Sequence, residues 1–204
     1  MTMFLYVLDT LADWEISFLV AEINSGRYLK KSIEKPQIKK VGNNLSPIKT
    51  MGGIEIIPDI SVDDMDLKNG DLVVLPGADT WQNGNNSKII EKIRGNNGIT
   101  IAAICGATFA LANNGLLDNK RHTSNDKEYL KMVCKNYKGE NLYEYKPVVV
   151  DGNLITATGV APLEFTFEVI KKMNVMENDT ITAWYNLFKT NEARYFFELM
   201  KSLE

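Results

Sequence analysis

The chain has 204 residues, 45% of them apolar, six prolines and a formal net charge of −3, so it is long enough to bury a full core as one domain with appendages. Its lysines and arginines are dispersed without a basic run, which argues against a nucleic-acid surface. No apolar run reaches the roughly 18 residues of a spanning helix, and the first residues lack the basic region of a signal peptide; we therefore expect no membrane partner and a cytoplasmic location.

Short β-rich runs alternate with amphipathic segments in the first part of the chain. FLYVL at 4–8 predicts a strand, and DWEISFLVAEINSG at 13–26 follows with apolar residues at helical spacing and a glycine at its end. The runs at 36–42 and 52–60 predict two further strands, the second of them more exposed. The apolar run at 71–77 predicts a buried parallel strand.

The alternation continues in the second part of the chain. A polar loop at 78–86, rich in glycine and asparagine, precedes a predicted helix at 87–95 and a buried strand at 99–104. Residues 147–158 predict a hairpin, because Asp-Gly between β-branched runs is the favoured two-residue turn. Residues 161–173 predict a helix with proline in its first turn.

This order of elements is typical of βαβ units, so we predict an α/β fold of three layers, with a mostly parallel sheet flanked by helices. We assign residues 1–175 to this domain. The tail at 176–204 is helical in pattern and rich in Trp, Tyr and Phe. We expect it to form one or two helices that pack on the domain or on a dimer partner.

The stretch ITIAAICGATFALANNGLL at 99–117 places Cys105 where a buried strand gives way directly to a helix. A side chain on such a sharp turn is lifted toward the carboxyl edge of the sheet, where open α/β folds bind ligands. The helix N-terminus lowers a thiol pKa and stabilises an oxyanion, and Gly106 lets a carbonyl approach the backbone. Cys105 is therefore a candidate nucleophile, with inert packing as the alternative.

Four segments, in the expected order, resemble the ThiJ/PfpI superfamily. AAICGATFALANNGLL resembles its nucleophile elbow, and the other three resemble its first helix, its glycine loop and its last helix: LADWEISFLVAEIN, LVVLPGADTW and TATGVAPLEFTFEVIKKM. The superfamily has the class I glutamine amidotransferase-like, flavodoxin-like fold and contains the parkinsonism-associated deglycase and PfpI-type cysteine hydrolases. The resemblance leaves the tail outside, and it implies a homodimer and a small-molecule substrate.

By this resemblance Cys105 is the nucleophile and Gly106 supplies one N–H of the oxyanion hole. The second N–H would come from Gly77 or Ala78. Glu15 matches the family's glutamate beside the cysteine. If protonated, this carboxyl would donate a hydrogen bond to the thiolate, and if ionised it would repel it. The alternative is that Glu15 is an ordinary solvated helix residue.

The chain departs from the family at the third catalytic position. Many members have a histidine directly after the cysteine or at the position that Asn125 occupies, whereas the one histidine here is His122. It lies three residues before Asn125, about 10 Å along a strand and on the opposite face, so we expect it to be half-buried and to miss the thiol. A contact between His122 and the substrate pocket is the alternative. Asn125 is a candidate for orienting a substrate oxygen.

The remaining candidates are aromatic residues and the second cysteine. Trp14, Trp81 and Phe109 flank the predicted site and either line its pocket or belong to the core. Cys134 lies at apolar helical spacing, which favours packing over chemistry. Two cysteines in a reducing compartment are expected to be free thiols, and with one histidine they are too few for a usual zinc site. We therefore expect no metal and no other cofactor.

The leading hypothesis is a cysteine-dependent hydrolase or glyoxalase-like enzyme acting on a small electrophilic carbonyl or amide. We rank protease activity low, because a thiol without histidine has no obvious group to protonate the leaving amine. One alternative is a redox-sensing or stress-protective protein without turnover. The other is a binding module that retains the fold without catalysis.

Overall fold

The computed structural model describes residues 1–83 and 85–204, and Gly84, in the predicted loop 78–86, lies outside the described residues. In chain order the strands and helices are β1 (Thr2–Tyr6), α1 (Asp13–Ser25), β2 (Gln37–Gly42), β3 (Ile48–Lys49), β4 (Glu55–Ile56), β5 (Ile60–Ser61), β6 (Leu72–Leu75), α2 (Ser87–Ile93), β7 (Thr100–Ile104), α3 (Gly106–Asn113), α4 (Lys127–Val133), β8 (Val148–Asp151), β9 (Leu154–Ala157), α5 (Pro162–Met173), α6 (Asn178–Thr190) and α7 (Ala193–Lys201).

The described residues form a seven-stranded sheet in the order β5-β2-β1-β6-β7-β9-β8. All neighbouring strands in it are parallel except β8, which runs antiparallel to β9. Val73 at the centre of β6 lies opposite Phe4 on one side and Ile101 on the other. The order of the strands reverses between β1 and β6, and in open α/β sheets ligands bind beside such a reversal, at the carboxyl ends of the strands.

Helices flank the sheet, as the predicted three-layer α/β fold requires. On one side α1 packs against α5, while α3 packs against α4 and against a 3₁₀ turn at Asp79–Asn83. The central strands β6 and β7 are almost wholly buried, which explains their near-continuous apolar sequences. The prediction of fold class is confirmed.

The predicted strand at 52–60 is wrong in extent. Gly53 adopts a left-handed conformation in a turn, so only Glu55–Ile56 pairs with β3, in a separate antiparallel ribbon. The chain then enters the main sheet as β5. The hairpin predicted at 147–158 is present as β8 and β9, with Gly152 left-handed in its turn as the Asp-Gly signal requires.

The tail forms α6 and α7, which pack on each other, and α6 packs on α5. Trp184 anchors the tail: its ring is fully buried against Phe18, and its Nε1 donates a hydrogen bond to Glu22 Oε1 at 3.0 Å. Glu22 is itself buried on α1 and forms an ion pair with Arg27. Within residues 1–83 and 85–204, no helix combines the length and the hydropathy needed to cross a membrane.

Candidate active site

Cys105 follows β7 directly and precedes the first residue of α3, in a strained backbone conformation with φ 58° and ψ −124°. A positive φ in a residue other than glycine costs about 1–3 kcal/mol and persists only where neighbours enforce it. Here the Cys105 N–H donates to the Ala157 carbonyl at 3.0 Å. Both the N–H and the hydroxyl of Thr108 donate to the Cys105 carbonyl. These bonds hold the thiol at the carboxyl edge of the sheet.

Glu15 lies in the first turn of α1 and is completely buried, so it is not a solvated helix residue. Its Oε2 accepts a hydrogen bond from the Gly77 N–H at 2.6 Å. Among the described residues Oε1 has no hydrogen-bond partner, and it lies beside Cys105: a Cβ built on Gly159 would be 3.1 Å from Oε1 and 2.7 Å from Cys105 Sγ. Burial raises the pKa of Glu15, while the Gly77 N–H and the thiol act in the opposite direction. The carboxyl is therefore placed to exchange one proton with the sulfur.

The thiol of Cys105 does not have the lowered pKa that its position at a helix N-terminus predicts. Burial, followed by the charge of Glu15, raises its pKa to about 11, although the Asn125 amide and the Gly106 N–H lower it. The prediction is wrong because desolvation of the sulfur outweighs the donors around it. The resting thiol keeps its proton at neutral pH, so a nucleophilic Cys105 needs a neighbouring base.

Asn125 occupies the third position of the site. Its Nδ2 donates to Cys105 Sγ at 3.2 Å, and its Oδ1 accepts from the Gly159 N–H at 2.8 Å. The half-exposed Trp14 reaches the same glycine, its Nε1 donating to the Gly159 carbonyl at 3.2 Å. An amide neither takes nor gives a proton at neutral pH, so Asn125 positions the sulfur without titrating.

The structure distinguishes the two candidates for the second oxyanion donor. The Gly77 N–H is already bonded to Glu15, so Gly77 cannot serve. For the Ala78 N–H we find no acceptor in the part of the chain that the structure describes. Ala78 lies against Gly106, since a Cβ built on Gly106 would be 3.5 Å from Ala78 N. The two N–H groups of Gly106 and Ala78 thus form a candidate oxyanion hole.

Comparison with known proteins shows which family has this sequence and fold. The sequence model of the DJ-1/PfpI family matches residues 1–172. The chain belongs to the DJ-1/PfpI family. This confirms the predicted resemblance to the ThiJ/PfpI superfamily, and with it the class I glutamine amidotransferase-like fold.

Similar DJ-1/PfpI proteins come from bacilli. "Uncharacterized protease YoaZ" of Bacillus subtilis (strain 168) is 50% identical over 202 residues, which are 98% of this chain and 96% of YoaZ. "Uncharacterized protease YdeA" of the same organism is 36% identical over 171 residues, 82% of this chain and 81% of YdeA. The crystal structure of a thiJ/pfpI family protein from Bacillus anthracis shares 52% identity with a TM-score of 0.96, covering 98% of this chain and 96% of that one. These names do not support the low rank given to protease activity.

His122 does not belong to the site of this DJ-1/PfpI chain. The ring is fully buried; its Nδ1 donates to the Lys120 carbonyl at 2.6 Å, and the Tyr137 hydroxyl donates to its Nε2 at 2.6 Å. Both nitrogens are thus engaged away from Cys105, and burial lowers the pKa of the imidazole. The inclusion of His122 in the substrate pocket is wrong, and so is the expectation that the ring is only half-buried.

Trp81 lies beside Gly106, since a Cβ built on Gly106 would be 3.4 Å from Trp81 Cδ1. Trp81 and Phe109 line a separate cavity of about 250 Å³ bounded by α2, α3 and α4. Trp81 is buried and donates from Nε1 to the Pro76 carbonyl at 2.7 Å. Cys134 is buried behind Phe109, to whose carbonyl its sulfur donates at 3.3 Å. Cys134 is therefore a packing residue, and both cysteines are free thiols.

Gly159 is a residue of the site that the sequence did not single out. A Cβ built on it would lie 2.7 Å from Cys105 Sγ and 3.1 Å from Glu15 Oε1. Gly77 faces the same pair, since a Cβ there would lie 2.7 Å from each oxygen of Glu15. Neither glycine has a positive φ, so the backbone conformation does not require glycine at either position. Both positions require it because there is no space for a Cβ. The one signal for Gly159 in the sequence is its place just after the predicted hairpin, at a strand's carboxyl end.

We expect Gly159→Ala to lower the free energy of unfolding by about 1–3 kcal/mol, the usual cost of an overpacked site. The added methyl must displace the sulfur or the loop, so alkylation of Cys105 should also change in rate. Urea unfolding and the kinetics of iodoacetamide modification measure the two effects. Val160→Ala is the control, because the Val160 side chain is 93% exposed and its loss should cost less than about 0.5 kcal/mol. Equal stability of the two variants would contradict the close packing of Gly159 against Cys105 and Glu15.

Proposed function

We propose that this chain is a cysteine-dependent enzyme in which Cys105 attacks a small electrophilic carbonyl compound and Glu15 transfers the proton. The observation that carries the proposal is the buried Glu15 carboxyl, whose Oε1 has no hydrogen-bond partner among residues 1–83 and 85–204 and lies beside Cys105, since a Cβ built on Gly159 would be 3.1 Å from Oε1 and 2.7 Å from Sγ. A base whose pKa is raised toward the working pH is well matched to general acid–base catalysis. The relatives named proteases support the broader assignment as a hydrolase.

The geometry supports a sequence of steps. Ionised Glu15 takes the proton of the Cys105 thiol as the sulfur bonds to the substrate carbonyl carbon. The carbonyl oxygen gains the negative charge and is stabilised by the N–H groups of Gly106 and Ala78. Glu15 then returns the proton to that oxygen. With an α-oxoaldehyde the product of these steps is a hemithioacetal on Cys105.

The same carboxyl completes the conversion of the α-oxoaldehyde. Glu15, again ionised, removes the proton from the hemithioacetal carbon and passes it to the oxygen of the neighbouring carbonyl, which gives an enediol. The hydroxyl on the sulfur-bearing carbon then gives its proton to Glu15, which delivers it to the neighbouring carbon. A thioester of a 2-hydroxy acid results. Water then displaces the Cys105 thiol and releases the 2-hydroxy acid. No step uses an oxidant or reductant from outside, since the aldehyde is oxidised as the ketone is reduced.

Amides are the second substrate class to be tested, because of the names of the two relatives. A leaving amine needs a proton, and the site has no histidine to supply it. Glu15 holds one after the thiol has been deprotonated, so it is the group that could protonate the amine. The raised pKa of Cys105 argues against a pure redox sensor, because the thiolate is the form that peroxide oxidises.

The test is to follow phenylglyoxal in deuterated water by NMR, with small esters and a fluorogenic peptide library in parallel. We expect saturable formation of the 2-hydroxy acid with deuterium at carbon 2, since the carbon proton passes through the exchangeable Glu15 carboxyl. Absence of turnover in every class would overturn the proposal. Selective peroxide oxidation of Cys105 over Cys134 would then favour the redox alternative, and equal oxidation the binding module.

A further inference from the structure

A cleft of about 390 Å³ opens beside Asn125 and extends to the C-terminal tail. Asn125 forms part of its wall and bonds directly to Cys105 Sγ, so the cleft starts one side chain from the nucleophile. Thr158 and Val160, on either side of Gly159, continue the wall. The wall also includes Lys189 of α6. Lys189 lies beyond residues 1–172, the part that the family model matches.

The charged groups of this cleft are unequal in exposure. Its lining contains two lysines, Lys146 and Lys189, and one carboxylate, Glu164. The Lys146 and Lys189 side chains are 62% and 53% exposed, whereas that of Glu164 is 16% exposed. Glu164 is also already occupied, since it accepts from Lys189 Nζ at 2.5 Å and from the Tyr185 hydroxyl at 3.3 Å. The ammonium groups are therefore the more exposed members of their ion pairs with Glu144 and Glu164.

Each ammonium group keeps donors for a ligand. An ammonium has three N–H donors, and the contacts seen here use one on Lys189, toward Glu164, and one on Lys146, toward Glu144 at 2.5 Å. The rings of Tyr143 and Tyr145 also line the cleft and pack edge-to-face, with centroids 5.0 Å apart. The cleft thus combines the polar Asn125 side chain, two aromatic rings and two ammonium groups.

We propose that this cleft is a subsite for a carboxylate, so that the substrate is a carbonyl compound with a carboxylate on a short tail. Lys189 and Lys146 are specificity-determining residues in this arrangement, and Lys189 is supplied by the C-terminal tail. The substrate class rests on the proposed function of Cys105. The carboxylate preference of the cleft does not require turnover, so the two can be tested apart.

The experiment compares two alkylating reagents of equal length, 6-maleimidohexanoic acid and its neutral amide. Their rates with Cys105 are measured at low salt in full-length protein carrying Cys134→Ser, with peptide mass spectrometry to confirm the site. We expect the acid to react faster than the amide. Lys189→Met and Lys146→Met should each slow the acid by about threefold, the size of an exposed charge pair, and leave the amide unchanged. Salt at 0.5 M should remove most of the preference.

Lys88→Met is the matched control, because Lys88 is 50% exposed and pairs with Asp63 at 2.7 Å outside the cleft. It should leave both rates unchanged. The proposal is overturned if the acid has no advantage in the parent protein. It is also overturned if the ratio of the two rates is the same in Lys189→Met, Lys146→Met and the parent. If the lysine variants lower the ratio of acid to amide rates but the protein shows no turnover, the carboxylate subsite stands and the enzyme proposal fails. If the protein shows turnover but the ratio is unchanged in the lysine variants, the enzyme proposal stands and the subsite fails.

Discussion

A Cys105→Ser variant is expected to lose turnover by on the order of 10⁴- to 10⁶-fold, the range seen when single members of a catalytic triad are removed. Serine keeps the shape of the elbow, including the backbone bonds to Ala157 and Thr108, so the fold should survive. The alcohol, however, is far less acidic than the thiol, and Glu15 is too weak a base to activate it. Initial rates on phenylglyoxal, together with an unchanged circular dichroism spectrum, measure the effect.

Cys134→Ser is the control for that experiment. Cys134 is equally free but is buried against Phe109, and serine can still donate to the Phe109 carbonyl. Its turnover should stay within about twofold of the parent, as expected for a residue without contact to the reacting atoms. If Cys105→Ser kept a tenth of the parent rate, or if Cys134→Ser lost as much activity, Cys105 would not be the nucleophile.

The candidate site is assembled from the carboxyl ends of four neighbouring strands. Glu15 follows β1, Gly77 and Ala78 follow β6, Cys105 follows β7 and Gly159 follows β9, and these strands are adjacent in the order β1-β6-β7-β9. Residues from four separate parts of the chain therefore meet because a parallel sheet aligns its carboxyl ends. The reversal of strand order between β1 and β6 opens the space in which Glu15 reaches the Gly77 N–H.

Local patterns explain why so much of this could be predicted from the sequence. The apolar run before Cys105 and the helical pattern after it report a strand, a turn and a helix without reference to the rest of the chain. The Asp151-Gly152 turn likewise specifies the hairpin by itself. The predicted strand at 52–60 failed because alternation alone did not reveal the turn at Gly53 that interrupts it.

Long-range packing determines the features of the site that could not be predicted from the sequence. The role of Gly159 depends on the approach of Cys105, a residue 54 positions earlier, whose sulfur leaves no room for a Cβ. The pKa of the thiol depends on burial by several elements, which reverses the effect of the local helix N-terminus. The bond from Gly77 to Glu15 decides which amide is free for an oxyanion, and no local pattern encodes that bond.

Glu15→Gln is expected to lower turnover by about 10²-fold or more, the usual contribution of a general base. The amide keeps the size of the carboxyl and can still accept from the Gly77 N–H, so the site should retain its shape. The thiol should become more reactive to iodoacetamide at the same time. Its pKa is raised partly by the charge of Glu15, and the variant removes that charge. Faster alkylation with slower turnover is a combination that simple damage to the site does not produce.

The same substitution should change how stability depends on pH. Because burial raises the pKa of Glu15, the folded protein holds this proton at pH values where the unfolded chain, with a pKa of about 4.3, has released it. Unfolding therefore releases a proton in this window, and the free energy of unfolding falls as pH rises from the unfolded pKa through the folded one. Each unit of elevation is worth about 1.4 kcal/mol. Glu15→Gln should abolish the fall and be more stable than the parent above the window.

Glu22→Gln provides the matched comparison for both effects. Glu22 is as buried as Glu15 and lies on the same helix, but it is paired with Arg27 and bonded to Trp184 instead of the thiol. Its replacement should lower the free energy of unfolding at neutral pH and leave the alkylation rate of Cys105 unchanged, because a paired charge is lost far from the sulfur. Urea unfolding between pH 4 and 9 separates the two cases. If Glu15→Gln were destabilised at neutral pH like Glu22→Gln, the pKa of Glu15 would not be raised in the folded protein, and the match between this base and the working pH would be lost.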